Sequence, residues 1–339
     1  MQHFWLFTSP VLHSDFRTAA VAVSPPSFPD PGIAALWIFV AHLCIIPTME
    51  RAIAKARVLI ESLPYIHAFK GRVVVIKYGG STLGDDNPDV NILRDIAFLY
   101  AVGMRPIVVH GGGKLISQRL KEQGIESTFV QGLRVTSAEA VRIVEDVLVN
   151  EINAALTATL ERLECPATGM SGAGNGMVRV ERLTGTDERG EPLDWGYVGR
   201  VTRINPRPLF DELLARRVPV VAPLGVGPDS MTYNINADTV AAEIAASLTA
   251  EKLVYLTDVP GICRDPKDPH SLLSTVHLNE VPRLIEEGVI TGGMLPKING
   301  CIAALNNDVH KTHIISGRIP HSLLLELFTD TGVGTEIIR

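Results

Sequence analysis

Val73-Val74-Val75-Ile76-Lys77-Tyr78-Gly79-Gly80 is an apolar run that passes through one lysine into a pair of glycines. A continuous run of β-branched residues is typical of a strand buried on both faces, as in a parallel sheet. A second apolar run ends in glycines in the same way, Pro106-Ile107-Val108-Val109-His110-Gly111-Gly112-Gly113, and a helical pattern separates the two stretches. This alternation predicts parallel strands joined by right-handed crossovers.

The rest of the chain continues the alternation. Between Val178 and Val201 the period changes to two, which predicts a β-hairpin excursion. Further strands are predicted at 218–221, 252–256 and 312–315, and helices at 91–102, 115–123, 137–163, 208–215, 238–248, 280–287 and from residue 296. We therefore expect an α/β fold around a mainly parallel sheet.

Composition narrows the class of function. The 339 residues are 46% hydrophobic and 20% charged, with a net charge of -6. This acidic balance argues against a nucleic-acid surface, which needs clustered Lys and Arg. The cysteines at 44, 165, 263 and 301 lack metal-ligand spacing, so we expect reduced thiols in a cytoplasmic enzyme.

The first 48 residues differ from the remainder. The apolar run 32–46 is shorter than the roughly 20 residues of a membrane span, and no basic segment precedes it. We expect residues 1–48 to be a non-native or disordered extension, with Met49 as the authentic start; a membrane-associating extension is the alternative. From Glu50 a helical pattern follows, which Pro64 is expected to end.

Two glycine turns and two lysines suggest phosphate chemistry. Glycine turns at the carboxyl ends of adjacent parallel strands present backbone N–H groups to phosphate, although neither turn is a Walker loop. Lys297 follows Gly292-Gly293 at a helix start, where a cation opposes the helix dipole and needs an anionic partner. For three residues a plain alternative stays open: Lys77 as a solvated lysine, Asp238 as a helix N-cap and Arg134 as a surface arginine.

Six ordered segments together resemble the N-acetylglutamate kinases of the amino-acid kinase superfamily, from Arg51 to Arg339. The segments are 76–80, 109–113, 132–136, 233–238, 256–259 and 292–297. The resemblance implies a three-layer sandwich of two lobes, with an amphipathic oligomerisation helix at 49–70, an acyl-substrate lobe at 71–247 and a nucleotide lobe at 248–339.

The resemblance also implies site residues. The catalytic set would be Lys77, Asp238, Lys297, Gly79 and Gly80, with Asp238 orienting both lysines. N-acetylglutamate would be held by Gly111, Gly112, Arg134 and Asn234. ATP would be held by Lys77, Gly80, Thr257, Asp258, Gly293, Met294 and Lys297, with Mg²⁺ carried on its phosphates and no protein metal site.

Two further stretches are similar to the arginine-inhibited branch of this family: the helix 51–63 followed by Tyr65, and the segment 313–318 followed by Glu326 and 329–334. They imply an arginine site at Tyr65, Lys252, His313, Glu326 and Gly332 and a hexamer interlaced by the N-terminal helix; a simple packing helix and terminal loop are the alternative. The sequence leaves open whether a nitrogen-signalling partner protein docks. Lys114, Ser316 and the segment 171–176 depart from the family pattern and put loop geometry and effector affinity in question.

The attacking carboxylate is already ionised at neutral pH, so no general base is required and His110 is expected to be structural. Rival interpretations are a sister kinase for another acyl group, such as carbamate, aspartate or glutamate, and an idle arginine-sensing module.

Overall fold

The computed structural model describes residues 31–79, 90–187 and 189–339, with side chains described from Met49 onward. The helices are α1 (Pro31–Phe69), α2 (Val90–Ala101), α3 (Gly113–Glu122), α4 (Ala138–Asp146), α5 (Ala154–Arg162), α6 (Arg207–Leu214), α7 (Ala237–Ser247), α8 (Val281–Glu286), α9 (Leu295–Asn306) and α10 (Ser322–Leu327). The strands are β1 (Val73–Tyr78), β2 (Arg105–His110), β3 (Phe129–Val130), β4 (Leu133–Arg134), β5 (Ala167–Ser171), β6 (Val178–Thr186), β7 (Pro192–Ile204), β8 (Val218–Ala222), β9 (Leu224–Val226), β10 (Thr232–Asn234), β11 (Lys252–Thr257), β12 (Thr275–His277), β13 (Lys311–Ser316) and β14 (Thr335–Ile338). A π-helical segment, Val147–Asn153, joins α4 to α5.

Within these ranges the central sheet has the order β12-β14-β13-β11-β1-β2-β8-β5. The pairing of β13 with β14 is antiparallel, and the other pairings in this sheet are parallel. The mainly parallel sheet predicted from the apolar runs is confirmed. The predicted lobes contribute adjacent halves of this sheet, which meet where β1 pairs with β11; the boundary between them stays a prediction.

Side-chain alternation along β1 explains the three layers. Val74 and Ile76 belong to an apolar cluster with residues of α2, α3, α4, α5 and α10, whereas Val75 belongs to another with residues of α6, α7, α8 and α9. Successive side chains of a strand point to opposite faces, so a strand with no polar alternation must be covered on both. The sandwich predicted from the resemblance is confirmed.

Two β-structures stand outside the sheet. The predicted excursion is the antiparallel pair β6 and β7, which closes into a small barrel with β9 and β10. A second hairpin, β3 and β4, precedes it and turns through Gln131 and Gly132, both at positive φ. Sequence reasoning did not identify this second hairpin.

The predicted end of the first helix was wrong. α1 continues through Pro64 to Phe69, although proline removes the bond to the carbonyl of Ile60 and its ring crowds that carbonyl. Phe69, beyond the proline, packs against the core. Residues Ser62–Arg339 form one compact unit and residues up to Glu61 another.

Residues 31–48 are helical as the first part of α1, whereas residues 1–30 lie outside the described ranges. The start at Met49 therefore stays a prediction. No helix in the described part of the chain is long and apolar enough to cross a membrane.

Candidate active site

The two glycine turns lie side by side at one edge of the sheet. Strand register pairs Lys77 with Val109 and Tyr78 with His110, so both strands end at the same level. The N–H of Gly111 donates to the carbonyl of Tyr78 at 2.9 Å, which ties the second turn to the first strand. The juxtaposition predicted from the two apolar runs is therefore present, and it lies at the carboxyl ends of the strands, where open α/β sheets bind ligands.

Asp238 lies between the two candidate lysines. Its Oδ1 is 2.7 Å from Nζ of Lys77, and its Oδ2 is 2.9 Å from Nζ of Lys297. The side chain of Asp238 is only 6% exposed, against 10% for Lys77 and 19% for Lys297. One buried carboxylate thus holds two ammonium groups from distant parts of the chain, and Lys77 is not the solvated lysine of the plain alternative.

The helix ends explain why this carboxylate can serve both lysines. Asn236, and not Asp238, is the N-cap of α7: its side-chain oxygen accepts from the N–H of Asp238 at 2.7 Å. The alternative that Asp238 is merely a cap is therefore wrong. Lys297 lies in the first turn of α9, where its charge opposes the helix dipole, and Asp238 supplies the required anionic partner.

The charge state of Asp238 follows from these contacts. Burial acts to raise its pKa, but the charges of Lys77 and Lys297, followed by their hydrogen bonds, outweigh burial and hold the pKa below its ordinary value. Asp238 is thus anionic at neutral pH. The hydroxyl of the fully buried Tyr255 donates to the backbone carbonyl of Asp238 at 3.1 Å and so helps to hold this residue in place.

The glycines allow the backbone to approach closely. A Cβ on Gly79 would lie 2.8 Å from the carbonyl oxygen of Leu256 and 3.3 Å from Nζ of Lys77. A Cβ on Gly112 would lie 2.7 Å from side-chain carbons of Leu148 and Ile152. A side chain at position 79 would therefore clash with the backbone of β11 and crowd Lys77, whereas one at position 112 would require the side chains of Leu148 and Ile152 to shift. Gly80 lies outside the described residues.

A cavity of about 380 Å³ opens beside this cluster. Six predicted site residues line it: Lys77, Gly111, Gly112, Arg134, Asn234 and Asp238. Sequence reasoning assigned no role to other lining residues, among them Phe129, Leu133, Val198 and Asn236. Phe129, Leu133 and Val198 gave no distinct signal, since an apolar residue is equally compatible with a place in the core. For the hairpin that carries Phe129 and Leu133, the one sequence hint was the turn Gln131-Gly132.

Arg134 is a buried cation without an acidic partner among the described residues. Its guanidinium donates to the carbonyl of Gly113 at 2.9 Å and to Oγ of Ser117 at 2.8 Å, bonds Ser127, and lies 4.7 Å from the ring centre of Phe129. Burial lowers its pKa. The plain alternative of a surface arginine is wrong, because Arg134 is 7% exposed.

Asn234 ends β10 on another side of the same cavity. Its amide lies 3.5 Å from Oγ1 of Thr136, a long contact that leaves the group available to a ligand. Arg134 and Asn234 thus converge from different elements on one space, in an arrangement suited to a carboxylate.

The remaining predicted nucleotide residues lie apart from the described wall of this cavity. Thr257 ends β11 and its hydroxyl donates to the carbonyl of Val259 at 2.8 Å. Asp258 follows, 3.9 Å from the guanidinium of Arg318. Gly293 and Met294 form a 3₁₀ turn directly before α9, one turn ahead of Lys297. No group of three or more potential metal ligands occurs in the described part of the chain.

His110 has the contacts of a structural residue. Its Nδ1 lies 2.9 Å from the carbonyl of Gly111 and its Nε2 lies 3.1 Å from the amide of Asn153, so both ring nitrogens are engaged. Full burial lowers its pKa to about 4. The ring is therefore neutral, with the proton on Nδ1 as the carbonyl requires.

The five residues of the predicted arginine site belong to two neighbouring networks. Nζ of Lys252 lies 3.1 Å from Nε2 of His313, whose Nδ1 lies 2.7 Å from Oε1 of Glu326. The other oxygen of Glu326 accepts from the N–H of Val333 at 2.7 Å, beside Gly332, where a Cβ would lie 2.6 Å from that oxygen.

The second network contains Tyr65. Its hydroxyl donates to Asp330, and its ring meets that of Phe328 edge to face at 6.3 Å. In the first network, burial and then the nearby charge of Lys311 lower the pKa of Lys252 to about 8.

Comparisons with known proteins agree with this architecture. The sequence profile of the amino acid kinase family matches residues 72–316. Acetylglutamate kinase from Moorella thermoacetica is 49% identical over 287 residues, 84% of this chain and 97% of that protein. N-acetylglutamate synthase from Neisseria gonorrhoeae, complexed with coenzyme A and N-acetyl-glutamate, has a TM-score of 0.71 at 28% identity over 84% of this chain. The same synthase complexed with coenzyme A and L-arginine has a TM-score of 0.69, also at 28% identity and 84% coverage. This chain spans 63% and 65% of the two synthase chains.

Proposed function

The chain belongs to the amino acid kinase family, and from that premise we propose that it transfers the γ-phosphoryl group of ATP to the γ-carboxylate of N-acetyl-L-glutamate. The products are the acyl phosphate and ADP, and the reaction serves arginine biosynthesis. Relatives named acetylglutamate kinase, at 49, 47 and 45% identity over most of the chain, support this substrate.

The observation that carries the mechanism is the Lys77–Asp238–Lys297 cluster at the edge of the cavity. Phosphoryl transfer needs positive charge around the equatorial and leaving oxygens more than it needs covalent chemistry. Lys77 neutralises the transferring phosphoryl group, and Lys297 binds the phosphates on the leaving side. Asp238 holds both lysines in position, so their charge is preorganised before ATP arrives.

The cavity supplies the acceptor site. Arg134 and Asn234 hold the α-carboxylate of acetylglutamate. The turns at Gly79 and Gly112 bring backbone N–H groups to the phosphoryl oxygens, and the same role is proposed for Gly80. Gly111, whose own N–H bonds Tyr78, places the second turn beside the substrate. Thr257, Asp258, Gly293 and Met294 complete the nucleotide site. Their place at the end of β11 and before α9 supports this assignment.

The step requires no proton transfer. A γ-carboxylate oxygen, already anionic, forms the new bond to phosphorus, and the bond between phosphorus and the bridging oxygen of ADP breaks. The bridging oxygen leaves with the negative charge on ADP, so no proton has to move. A neutral His110 buried beneath the second turn is consistent with this. Mg²⁺ would be carried on the phosphates of ATP, where it would neutralise part of their charge.

Coupled detection of ADP tests the proposal. ADP release should depend on N-acetylglutamate and be far slower with carbamate, aspartate or glutamate. Preference for one of those acids would indicate a sister kinase. No ADP release with any of them, under conditions where arginine still binds, would leave an idle arginine-sensing module.

We further propose that arginine inhibits the enzyme by binding at Tyr65, Lys252, His313, Glu326 and Gly332. Glu326 is an anionic group for a guanidinium, because His313 and two backbone N–H groups hold its pKa below the ordinary value against the effect of burial. The similarity to a synthase that was solved with L-arginine supports a site of this kind. Absence of inhibition by millimolar arginine would refute it.

Assembly into a hexamer through α1 belongs to the same proposal, as does a cytoplasmic location. Apolar side chains of α1 are exposed in the single chain: Ile53 at 48%, Val58 and Ile60 at 64% and Leu63 at 44%. Such residues on one helix favour burial against another subunit. Light scattering after size exclusion should report six subunits, and a monomer would contradict the proposal.

A further inference from the structure

The hairpin formed by β3 and β4 presents Arg134 to the cavity but is too small to hold itself. Each strand has two residues, and an isolated two-stranded hairpin is at best marginally stable even when its strands are longer. The same hairpin also contributes Phe129, Gly132 and Leu133 to the cavity wall. The position of the substrate-binding guanidinium therefore depends on what supports the hairpin from outside.

Trp195 of β7 contacts the hairpin at both ends. At the tip, its indole Nε1–H donates to the carbonyl of Val130 at 3.0 Å. At the base, its backbone carbonyl accepts from the N–H of Thr136 at 2.9 Å, and the N–H of Tyr197 donates back to the carbonyl of Thr136 at 2.7 Å. A single residue of the barrel thus spans the hairpin from base to tip.

The surroundings of Trp195 hold the indole in one place. Trp195 is 3% exposed, and a Cβ on Gly185 would lie 2.9 Å from its ring. Gly196, at φ 71°, allows the close contact at the base, since a Cβ there would lie 2.2 Å from the carbonyl oxygen of Thr136. Two glycines, one in β6 and one in β7, therefore leave room for the indole and for the contact with Thr136.

We infer that Trp195 is a positioning residue for acetylglutamate binding. It acts through Val130 and Thr136, and it sets where the guanidinium of Arg134 lies without touching the substrate. Arg134 itself bonds α3 on its other side, so the hairpin carries the guanidinium between two fixed supports. The inference rests on the proposed function, because that function makes Arg134 the ligand of the substrate carboxylate.

Trp195→Phe tests the inference, since it removes the N–H donor and keeps an aromatic ring. KM for N-acetylglutamate should rise by about three- to tenfold, the effect of losing one neutral hydrogen bond. The values of kcat and of KM for ATP should stay within twofold. Thr202→Val is the matched control: it removes a barrel hydrogen bond to the carbonyl of Arg179, away from the hairpin, and should change none of the three.

Fluorescence gives a second measurement that a purely structural role would not affect. The chain has three tryptophans, so Trp5→Phe with Trp37→Phe leaves Trp195 as the sole indole. N-acetylglutamate should change its emission saturably, with half-saturation near KM.

The outcomes separate the inference from the proposed function. If the wild-type enzyme is active and Trp195→Phe leaves its KM for N-acetylglutamate unchanged, the inference alone is overturned. An equal rise in KM for ATP, or a Trp195 emission that N-acetylglutamate does not change, would overturn it as well. A wild-type enzyme without activity on N-acetylglutamate would overturn the proposed function and the inference with it.

Discussion

Replacing Asp238 by asparagine removes the carboxylate that both lysines share while keeping the size of the side chain. Two ammonium groups, 10% and 19% exposed, then lie beside a neutral amide with no other acidic partner among the described residues. Removing one partner of a buried ion pair destabilises a protein by about 3–5 kcal/mol. Because Lys297 is the more exposed and can turn toward solvent, we expect the lower end, about 3 kcal/mol.

The kcat of Asp238→Asn should fall by more than its lower folding stability alone would cause. Asp238 contributes by holding Lys77 and Lys297 where charge develops, and loss of one preorganised electrostatic group lowers kcat by about 10²- to 10³-fold. ATP should bind Asp238→Asn more tightly than the wild type, because its phosphates compensate the two freed charges. The melting temperature of Asp238→Asn should accordingly rise more on adding ATP than that of the wild type.

The pH dependence checks the same reasoning. The pKa of Asp238 is lowered in the folded state, so its contribution to stability is present above the ordinary value of 3.8 and is lost as pH falls through the folded value. The difference in unfolding free energy between wild type and Asp238→Asn should therefore be constant from neutral pH to about pH 5 and shrink only under acid conditions.

Coupled ADP release and urea unfolding at several pH values are the assays, with Asp211→Asn as the control. Asp211 is 61% exposed and lies 3.8 Å from Arg207, so its replacement should change stability by less than about 0.5 kcal/mol. If Asp238→Asn keeps a third or more of wild-type kcat, the assignment of Asp238 as the organiser of the two lysines is refuted.

Three further predictions follow from the other sites. Arg134→Lys keeps the charge but loses the planar fork, so KM for N-acetylglutamate should rise by about tenfold or more at a similar kcat; an unchanged KM would exclude Arg134 as the carboxylate ligand. His110→Asn should lower the melting temperature and leave kcat within about threefold of the wild-type value between pH 6 and 9, since a neutral ring moves no proton. A break in the wild-type pH–rate profile that disappears in the variant would indicate a catalytic role for His110. Glu326→Gln should keep kcat and abolish inhibition by millimolar arginine, as measured by initial rates; retained inhibition would place the effector elsewhere.

Local patterns predicted the elements because each depends on neighbouring residues. The apolar runs that became β1 and β2 were recognisable because a strand buried on both faces has no polar alternation. The end of α1 was not recognisable, because the helix runs past Pro64 to Phe69, which packs against the core, and such packing is invisible to a local pattern. The hairpin β3–β4 was missed for a related reason, since two-residue strands have too few positions to show a period.

For the site, the sequence by itself determined the residue types and their order: two glycine turns, two lysines, Asp238, Arg134 and Asn234 in one chain. It could not decide whether Asn236 or Asp238 caps α7, or whether Arg134 is buried. The tertiary structure decided both, because capping geometry and burial depend on what packs against a residue from distant parts of the chain. The pairing of Asp238 with both lysines likewise exists only where α7 and α9 bring their first turns to the end of β1.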